Sequence, residues 1–214
     1  MSFLSWLYPP ICQGCGWPGQ WLCNHCLAAV EFYPNPVVFD SALDQKIPVV
    51  AAGYFQPPLS RCIKALKYKG VQDIGTWLGQ WLAEVAPVPE IDLITWVPLH
   101  PDKLKVRGFN QTELIARSLA QTLKLPAAAI CEKLIATTPQ AQVTNKLSRL
   151  HHLDGSFAVT SQWQKPKNLI WLKQQRILIV DDVITTGATL NCLGQLLISL
   201  DIIKVSALAV AHGQ

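Results

Sequence analysis

Hydrophobic and polar positions along the chain follow strand-like and helix-like patterns in turn. In residues 91–98 β-branched residues alternate with others, and residues 176–180 contain the unbroken apolar run ILIV, which is typical of a strand buried on both faces. In residues 189–200 leucines recur at helical spacing and line one face. The other predicted strands are 49–54, 128–134, 157–159, 169–172 and 205–211, and the other predicted helices are 60–69, 72–85 and 110–124. Strands that alternate with helices predict an α/β fold with a parallel sheet.

The most informative chemical pattern follows the strand predicted for residues 176–180. Asp181 and Asp182 come at its end, and a turn of small and hydroxyl residues leads from there into the next helix. Ligands of open α/β sheets bind at this carboxyl edge, where glycine lets the backbone approach and a helix start binds phosphate. Two carboxylates can accept hydrogen bonds from vicinal hydroxyls, so the pattern predicts a site for a sugar phosphate. The turn consists of Thr185, Thr186, Gly187, Ala188 and Thr189.

Other interpretations of the acidic pair are less consistent with its position. The pair could simply be structural, with its carboxylates hydrogen-bonded to neighbouring groups at the end of a strand. In a phospho-receiver domain an acidic pair follows the first strand, whereas this pair lies close to the carboxyl end of the sequence. The chain contains no G-x-x-x-x-G-K-[ST] motif, so a P-loop nucleotide-binding site is not predicted.

A basic segment follows the strand predicted for residues 91–98. We expect a loop here that carries Lys103, Lys105 and Arg107 and leads into a helix. Asn110 and Glu113, at the start of that helix, have the spacing of a capping box. The segment lies at the same edge of the sheet as the acidic pair and could hold a pyrophosphate. A solvated basic turn is the alternative.

Four cysteines lie within fifteen residues near the start of the sequence, in the pattern C-x₂-C-x₇-C-x₂-C. Two C-x₂-C knuckles can supply the four thiolates of a tetrahedral zinc site, which would be structural because all four positions are filled. The alternatives are four free thiols, a redox role, or His25 as a competing ligand. The predicted ligands are Cys12, Cys15, Cys23 and Cys26.

Composition limits the location and the class of ligand. The net charge of +4 and the pI near 8.7 are compatible with anionic ligands, but too mild to indicate nucleic-acid binding alone. Mean hydropathy is +0.23, yet polar residues interrupt every apolar stretch, so no spanning helix is predicted. The first residues lack the basic region of a signal peptide, and we expect a cytoplasmic protein.

The helix predicted for residues 60–69 is basic and includes an aromatic residue. Charge next to an aromatic side chain is a pattern that single-stranded DNA (ssDNA)-binding proteins use, although a solvated basic face explains it equally. The residues concerned are Arg61, Lys64, Lys67, Tyr68 and Lys69.

Two of these segments resemble known families. ILIVDDVITTGAT resembles the signature by which type I phosphoribosyltransferases bind phosphoribosyl pyrophosphate (PRPP). VPLHPDKLKVRGFNQTELIA resembles the RGFNQ segment of the ComF family, and with the cysteine pattern and IKALKYKG this resemblance extends over nearly the whole chain. One departure is His152, which stands where the family usually has Asn in a polar segment, 136–156, that we expect to be a loop.

The resemblance implies a fold and a set of roles. The fold would be a type I phosphoribosyltransferase-like parallel sheet with a four-cysteine zinc-binding module in residues 1–32, a linker and accessory segment in 33–90, and a PRPP-binding domain in 91–214. Asp181 and Asp182 would bind the ribose hydroxyls, the turn from Thr185 to Thr189 the 5′-phosphate, and Lys103 and Arg107, with Mg²⁺, the pyrophosphate.

Family membership would also associate the protein with natural competence and DNA uptake, with proteins of the competence machinery as candidate partners. Three functions remain open at this point. The protein could transfer ribose 5-phosphate from PRPP to an unknown acceptor, bind a ribose phosphate as a regulatory ligand, or bind ssDNA without catalysis. Because one fold supports many activities, the fold alone does not choose among them.

Overall fold

The computed structural model describes residues 9–34, 37–40, 46–134 and 155–213. Within them a central sheet has five strands in the order β1-β2-β7-β6-β3. Strand β1 pairs antiparallel with β2, and the other neighbours are parallel. The strands are β1 (Val37–Asp40), β2 (Lys46–Tyr54), β3 (Leu93–Trp96), β6 (Arg176–Ile184) and β7 (Lys204–His212). A second, antiparallel sheet pairs β4 (Cys131–Lys133) with β5 (Phe157–Val159).

Helices cover both faces of the central sheet. They are α1 (Asn24–Ala28), α2 (Leu59–Lys69), α3 (Asp73–Val85), α4 (Pro101–Arg107), α5 (Gln111–Leu123), α6 (Ser161–Gln164), α7 (Pro166–Lys173) and α8 (Ala188–Ile198). Leu178 and Val180 of β6 belong to a buried cluster with α2, α3 and α5, whereas Ile177 and Ile179 belong to a cluster with α7 and α8. Neighbouring strand residues point to opposite faces, so a strand covered on both sides has no polar positions between Ile177 and Val180.

The predicted α/β class with a parallel sheet is confirmed. Strand β2 lies before residue 90, yet it pairs with β7, so residues on both sides of that predicted boundary build one sheet. The three-segment division of the chain stays a prediction. Among the helices that the structure describes, none combines the length and the apolar character that crossing a membrane requires.

Two predicted elements differ from the structure. Residues 169–172, predicted as a strand, lie in helix α7, which begins with Pro166 at a position where the fixed φ of proline suits a helix. The basic loop predicted after β3 contains helix α4, because the side chain of His100 accepts a hydrogen bond from the N–H of Asp102 and Pro101 occupies the first helical position. Gly108 then ends α4 with φ +80°.

Other boundaries shift by a few residues. The strand predicted for 128–134 is limited to Cys131–Lys133, and β6 continues to Ile184 and not only to Val180. Most of the loop predicted for residues 136–156 lies outside the described residues, as does His152, the departure from the family pattern.

Candidate functional site

The acidic pair lies inside the last part of β6 and not just after it. The hydrogen-bonded register with β7 continues beyond the pair, to Val183 and Ile184. Both acidic residues are therefore held by a central strand, with Asp181 9% and Asp182 4% exposed. Burial of two adjacent carboxyl groups costs free energy unless each group finds hydrogen-bond or ion-pair partners. The contacts of each group therefore determine how this cost is offset.

Asp182 is held by two side chains from other elements. The Nζ atom of Lys67, on α2, lies 2.6 Å from its Oδ1 atom. The amide Nε2 of Gln111, at the start of α5, donates a hydrogen bond of 2.7 Å to Oδ2. The side chains of Lys67 and Asp182 are only 19% and 5% exposed. This ion pair is therefore largely shielded from water, and its partners fix the orientation of the carboxylate.

Asp181 has a different environment. Its Oδ1 atom accepts a hydrogen bond of 2.8 Å from the backbone N–H of Asp182. Burial raises the pKa of Asp181 to about 8, and the adjacent charge of Asp182 adds to the rise, while Lys67 and Lys133 act in the opposite direction. Its environment therefore favours the protonated form of Asp181 more than water does, whereas Asp182 forms an ion pair with Lys67.

The turn after β6 has the form of an anion-binding site. Gly187 adopts φ +73°, a left-handed conformation that glycine adopts without strain, and α8 begins at the next residue. The first N–H groups of α8 have no partner within their own helix and carry the positive end of its dipole. Asp181 and residues 183–190 line one concave surface. Asp181, one of the two predicted hydroxyl-binding residues, therefore shares a surface with the predicted phosphate-binding turn.

Beside the acidic pair lies a cavity of about 730 Å³ between the end of α2 and helix α4. Arg107 donates a hydrogen bond to Oε1 of Gln111, the residue that also holds Asp182, and its guanidinium lies 5.9 Å from the ring centroid of Tyr68. The cavity is lined by Lys67, Tyr68, Gly70, Asp102, Lys103, Val106, Arg107 and Phe109. Side-chain contacts through Gln111 thus connect Arg107, one of the two predicted pyrophosphate residues, with Asp182.

The sequence patterns did not single out two residues of this site, and they indicated a third only for another role. Gln111 and Lys133 were not candidates, and Lys67 was a candidate only for ssDNA. Burial lowers the pKa of Lys133, the charge of Lys103 lowers it further, and the charge of Asp181 raises it, so Lys133 lies near both. The RGFNQ motif contains Gln111 and could have identified it, whereas the sequence around Lys133 carries no comparable signal.

The basic residues of α2 do not share one surface. The Nη1 atom of Arg61 donates a hydrogen bond of 2.7 Å to the carbonyl oxygen of Gly14, and Lys64 lies 5.7 Å above the ring of Phe55. Lys67 contacts the acidic pair, as described. Tyr68 is 76% exposed and Lys69 is also exposed. Only the far end of α2 therefore presents charge and an aromatic ring together.

The four cysteines come together as their spacing predicts. One potential ligand atom from each of them lies within 4.8 Å of all the others. Sγ of Cys15 and Sγ of Cys23 are 3.7 Å apart, close to the separation of about 3.8 Å that tetrahedral Zn–S bonds of about 2.3 Å impose. His25 is not part of this group within the described residues. The donor set and its geometry therefore fit a metal ion of the zinc type.

Local backbone geometry supports this cluster. The backbone N–H of Cys23 lies 3.3 Å from Sγ of Cys12. Burial raises the pKa of Cys12, but hydrogen bonds from backbone N–H groups outweigh it and lower the value to about 6, so this thiol is ready to act as a thiolate ligand. A Cβ atom on Gly14 would lie 2.5 Å from Sγ of Cys26, so the first knuckle requires glycine at this position.

Comparison with known proteins identifies a domain family and several relatives to which the chain is similar. Residues 112–213 match the family model described as a phosphoribosyl transferase domain. The chain is 25% identical to competence protein F of Haemophilus influenzae, over 95% of this chain and 85% of that protein. It is 28% identical to DNA utilization protein YhgH of Escherichia coli K12, over 88% of this chain and 78% of that protein.

Among solved structures, adenine phosphoribosyltransferase from Thermoanaerobacter pseudethanolicus matches with 15% identity and a TM-score of 0.41, over 83% of this chain and 95% of that one. By these matches the chain is similar to competence protein F and to DNA utilization protein YhgH, and its residues 112–213 match a phosphoribosyl transferase domain. The structure also brings four cysteines together near the start of the described residues.

Proposed function

We propose that the protein binds PRPP at the carboxyl edge of its central sheet. Asp181 and Asp182 bind the ribose 2′- and 3′-hydroxyls, and the turn from Thr185 to Thr189 binds the 5′-phosphate. The observation that carries the proposal is that Asp181, one member of a buried acidic pair, lines one concave surface with the turn and the N-terminus of α8. Carboxylates next to an anion site would repel phosphate alone, but they suit a ligand that has hydroxyls at one end and phosphate at the other.

The pyrophosphate group of PRPP occupies the cavity beside helix α4 in this proposal. Lys103 and Arg107 line that cavity and neutralise the negative charge of the pyrophosphate. Because the charged residues of this lining are three cations and a single carboxylate, Asp102, Mg²⁺ would be held chiefly by the oxygens of PRPP and would supply further positive charge there. The protein itself contributes the orientation of the sugar and the cations around the leaving group.

The proposed reaction is transfer of ribose 5-phosphate to an acceptor. A nucleophile on the acceptor forms a bond to C1′, the bond from C1′ to the pyrophosphate oxygen breaks, and pyrophosphate leaves with the electron pair. Lys103 and Arg107 stabilise the charge that develops on this leaving group, so catalysis consists of positioning and electrostatic stabilisation. The acceptor is outside what the described residues identify.

The names of the relatives suggest the setting of this activity. One is a competence protein and another is a DNA utilization protein. We therefore place this protein in DNA uptake, in the cytoplasm, with proteins of the competence machinery as partners. Zinc held by the four-cysteine cluster serves as a structural ion.

Calorimetric titration with PRPP in the presence of Mg²⁺ tests the binding proposal directly. We expect saturable binding of one PRPP per chain, and ribose 5-phosphate should compete for the same site. Release of inorganic pyrophosphate from PRPP, measured with a coupled assay in the presence of candidate acceptors, separates a transferase from a protein that only binds PRPP. Absence of PRPP binding under these conditions would refute the proposed function.

A second candidate function, ssDNA binding, is favoured by the surface next to the cavity. Tyr68 is 76% exposed and Val106, on α4, is 91% exposed, and both line the cavity together with cations. Bases stack on exposed aromatic rings while cations contact the phosphates. This surface could therefore bind a polymer of sugar phosphates whether or not the protein transfers ribose 5-phosphate.

The ssDNA candidate predicts a specific effect of the exposed end of α2. Replacing Tyr68 and Lys69 by Ala should weaken oligonucleotide binding and reduce its dependence on salt, since a stacking ring is lost and fewer counterions are released. Lys67 is left intact because it contacts Asp182. The control replaces Lys165 and Lys167, at and within α7 on the opposite face of the sheet, and should leave affinity nearly unchanged. Equal affinity of both variants and the parent at every salt concentration would favour a solvated basic face.

A further inference from the structure

We infer that Lys67 is a binding residue for the pyrophosphate group of PRPP, and that its amino group bridges this group and Asp182. The inference rests on the proposed function and deepens it. Lys67 lies on α2, which precedes the segment that matches the phosphoribosyltransferase model, residues 112–213. The site would therefore be completed by a residue from outside that segment.

The geometry of the amino group leaves room for a second partner. Nζ of Lys67 lies 2.6 Å from Oδ1 of Asp182, and an ammonium group has three donors, of which this contact uses one. The same side chain lines the cavity of about 730 Å³ with Lys103 and Arg107. Lys67 is thus placed between the carboxylate that receives the ribose hydroxyl and the cavity that receives the pyrophosphate.

The position of Lys67 is fixed by the packing of its helix. Ile63 and Leu66 of α2 are fully buried, and the helix is anchored near its start by the hydrogen bond from Arg61 to the carbonyl oxygen of Gly14. Arg61 and Lys67 are six residues apart, which is about 9 Å along a helix. A side chain held on such a helix is oriented before the ligand arrives, so little conformational freedom is lost on binding.

Charge explains why a cation is needed at this position. Asp182 carries a negative charge next to the cavity, and a pyrophosphate group entering the cavity would be repelled by it. Lys67 compensates the carboxylate and attracts the pyrophosphate, while Lys103 and Arg107 act from the other side of the cavity. One amino group therefore allows a hydroxyl-binding carboxylate and an anion-binding cavity to be neighbours.

This role differs measurably from a structural one. If Lys67 only held Asp182 in place, its loss would weaken the binding of PRPP and of ribose 5-phosphate by the same factor, because both ligands present the same hydroxyls. If Lys67 contacts the pyrophosphate, its loss would weaken the binding of PRPP and of inorganic pyrophosphate much more than the binding of ribose 5-phosphate. The ratio of the two affinities is therefore the informative quantity.

The experiment compares Lys67→Met, Lys67→Gln and Lys67→Arg with the parent chain, using calorimetry with PRPP, inorganic pyrophosphate and ribose 5-phosphate as separate probes. For the Met and Gln variants we expect about 10- to 100-fold weaker binding of PRPP and pyrophosphate, because one charge-assisted hydrogen bond is lost. The affinity for ribose 5-phosphate should change by no more than about 3-fold. Arg keeps the positive charge and should retain most of the affinity. Lys167→Met, on the exposed surface of α7, is the matched control and should bind like the parent.

The Gln variant protects the test against misfolding, because its amide can still donate a hydrogen bond to Asp182. Thermal melting of each variant accompanies the titrations. An unchanged PRPP affinity in the Met and Gln variants, or an equal loss for PRPP and ribose 5-phosphate, would overturn the inference while leaving the proposed function in place. If the parent chain itself binds neither PRPP nor ribose 5-phosphate, the proposed function fails and the inference fails with it.

Discussion

Replacing Asp181 and Asp182 together by Asn is expected to weaken PRPP binding by about 1.5 to 3 powers of ten. A hydrogen bond to a charged Asp182 contributes about 1.5–3 kcal/mol, and one to a protonated Asp181 about 0.5–1.5 kcal/mol. The sum of about 2–4.5 kcal/mol corresponds to this loss of affinity. Asn keeps the shape of each side chain, so calorimetry on the double variant measures mainly the loss of charge and of acceptors.

The two single variants should differ, and the difference should depend on pH. Because the pKa of Asp181 is raised to about 8, Asp181→Asn replaces a largely protonated group by another neutral group at neutral pH, and the loss of affinity should not exceed about tenfold. As the pH rises past about 8, the parent gains a charge at this position that the variant cannot gain, so the two should diverge. Asp182→Asn removes the partner of Lys67 and should weaken binding strongly throughout this range.

Smaller ligands provide the controls for the acidic pair. Ribose 5-phosphate should compete with PRPP better than 2-deoxyribose 5-phosphate, which lacks one of the two hydroxyls. Inorganic phosphate at the turn from Thr185 to Thr189 should bind the double variant at least as well as the parent, because negative charge has been removed nearby. Parent-like affinity of the double variant for PRPP would show that the pair is structural.

Patterns within short stretches of sequence identified the central part of the site. The run ILIV indicated a buried strand because both faces of β6 are covered, and the acidic pair and the glycine of the turn follow it directly. The cysteine spacing likewise indicated a cluster, because two knuckles need only local turns to bring their sulfurs together. In both cases the relevant residues are neighbours in sequence as well as in space.

The rest of the site depends on contacts between distant elements. Lys67 and Asp182 are separated by 115 positions and Gln111 and Asp182 by 71, and nothing in the local pattern of α2 marks one lysine as different from the others. Helix α4 was predicted as a loop because none of its residues is buried, so it has no apolar face by which a pattern could reveal it. Its capping by His100 and the pairing of Lys67 become visible only in three dimensions.

The N-terminal module is joined to this site by packing and not only by the chain. Cys12, Leu22 and Cys26 belong to the same buried cluster as the apolar side of α2. Arg61 also contacts Gly14, between the first two cysteines. Because α2 carries Lys67, a change in the cysteine module can alter the PRPP site through one helix, even though the module contributes no ligand-binding group of its own.

Removal of one cysteine ligand is therefore the second substitution with a large expected effect. The parent chain should contain one zinc ion, and Cys12→Ser should lose it, because a hydroxyl cannot replace a buried thiolate ligand. Structural zinc contributes about 10–16 kcal/mol in isolated zinc modules, so its loss should unfold most of residues 9–30. Elemental analysis measures the zinc content, and proteolysis or hydrogen exchange measures the loosening.

The packing of the module predicts how far this damage extends. The strands and α8 should stay folded, since the cluster around Ile177 and Leu193 contains no residue of the module. The melting temperature should still fall. PRPP affinity should drop by about 5- to 10-fold as α2 loses its anchor, which is at the lower end of the coupling usually found between two sites. Cys192→Ser, on α8, is the matched control and should keep its zinc. The assignment of the metal would be contradicted if the parent protein, purified without chelators, contained no zinc. The coupling through α2 would be contradicted if the zinc-free Cys12→Ser protein bound PRPP with unchanged affinity.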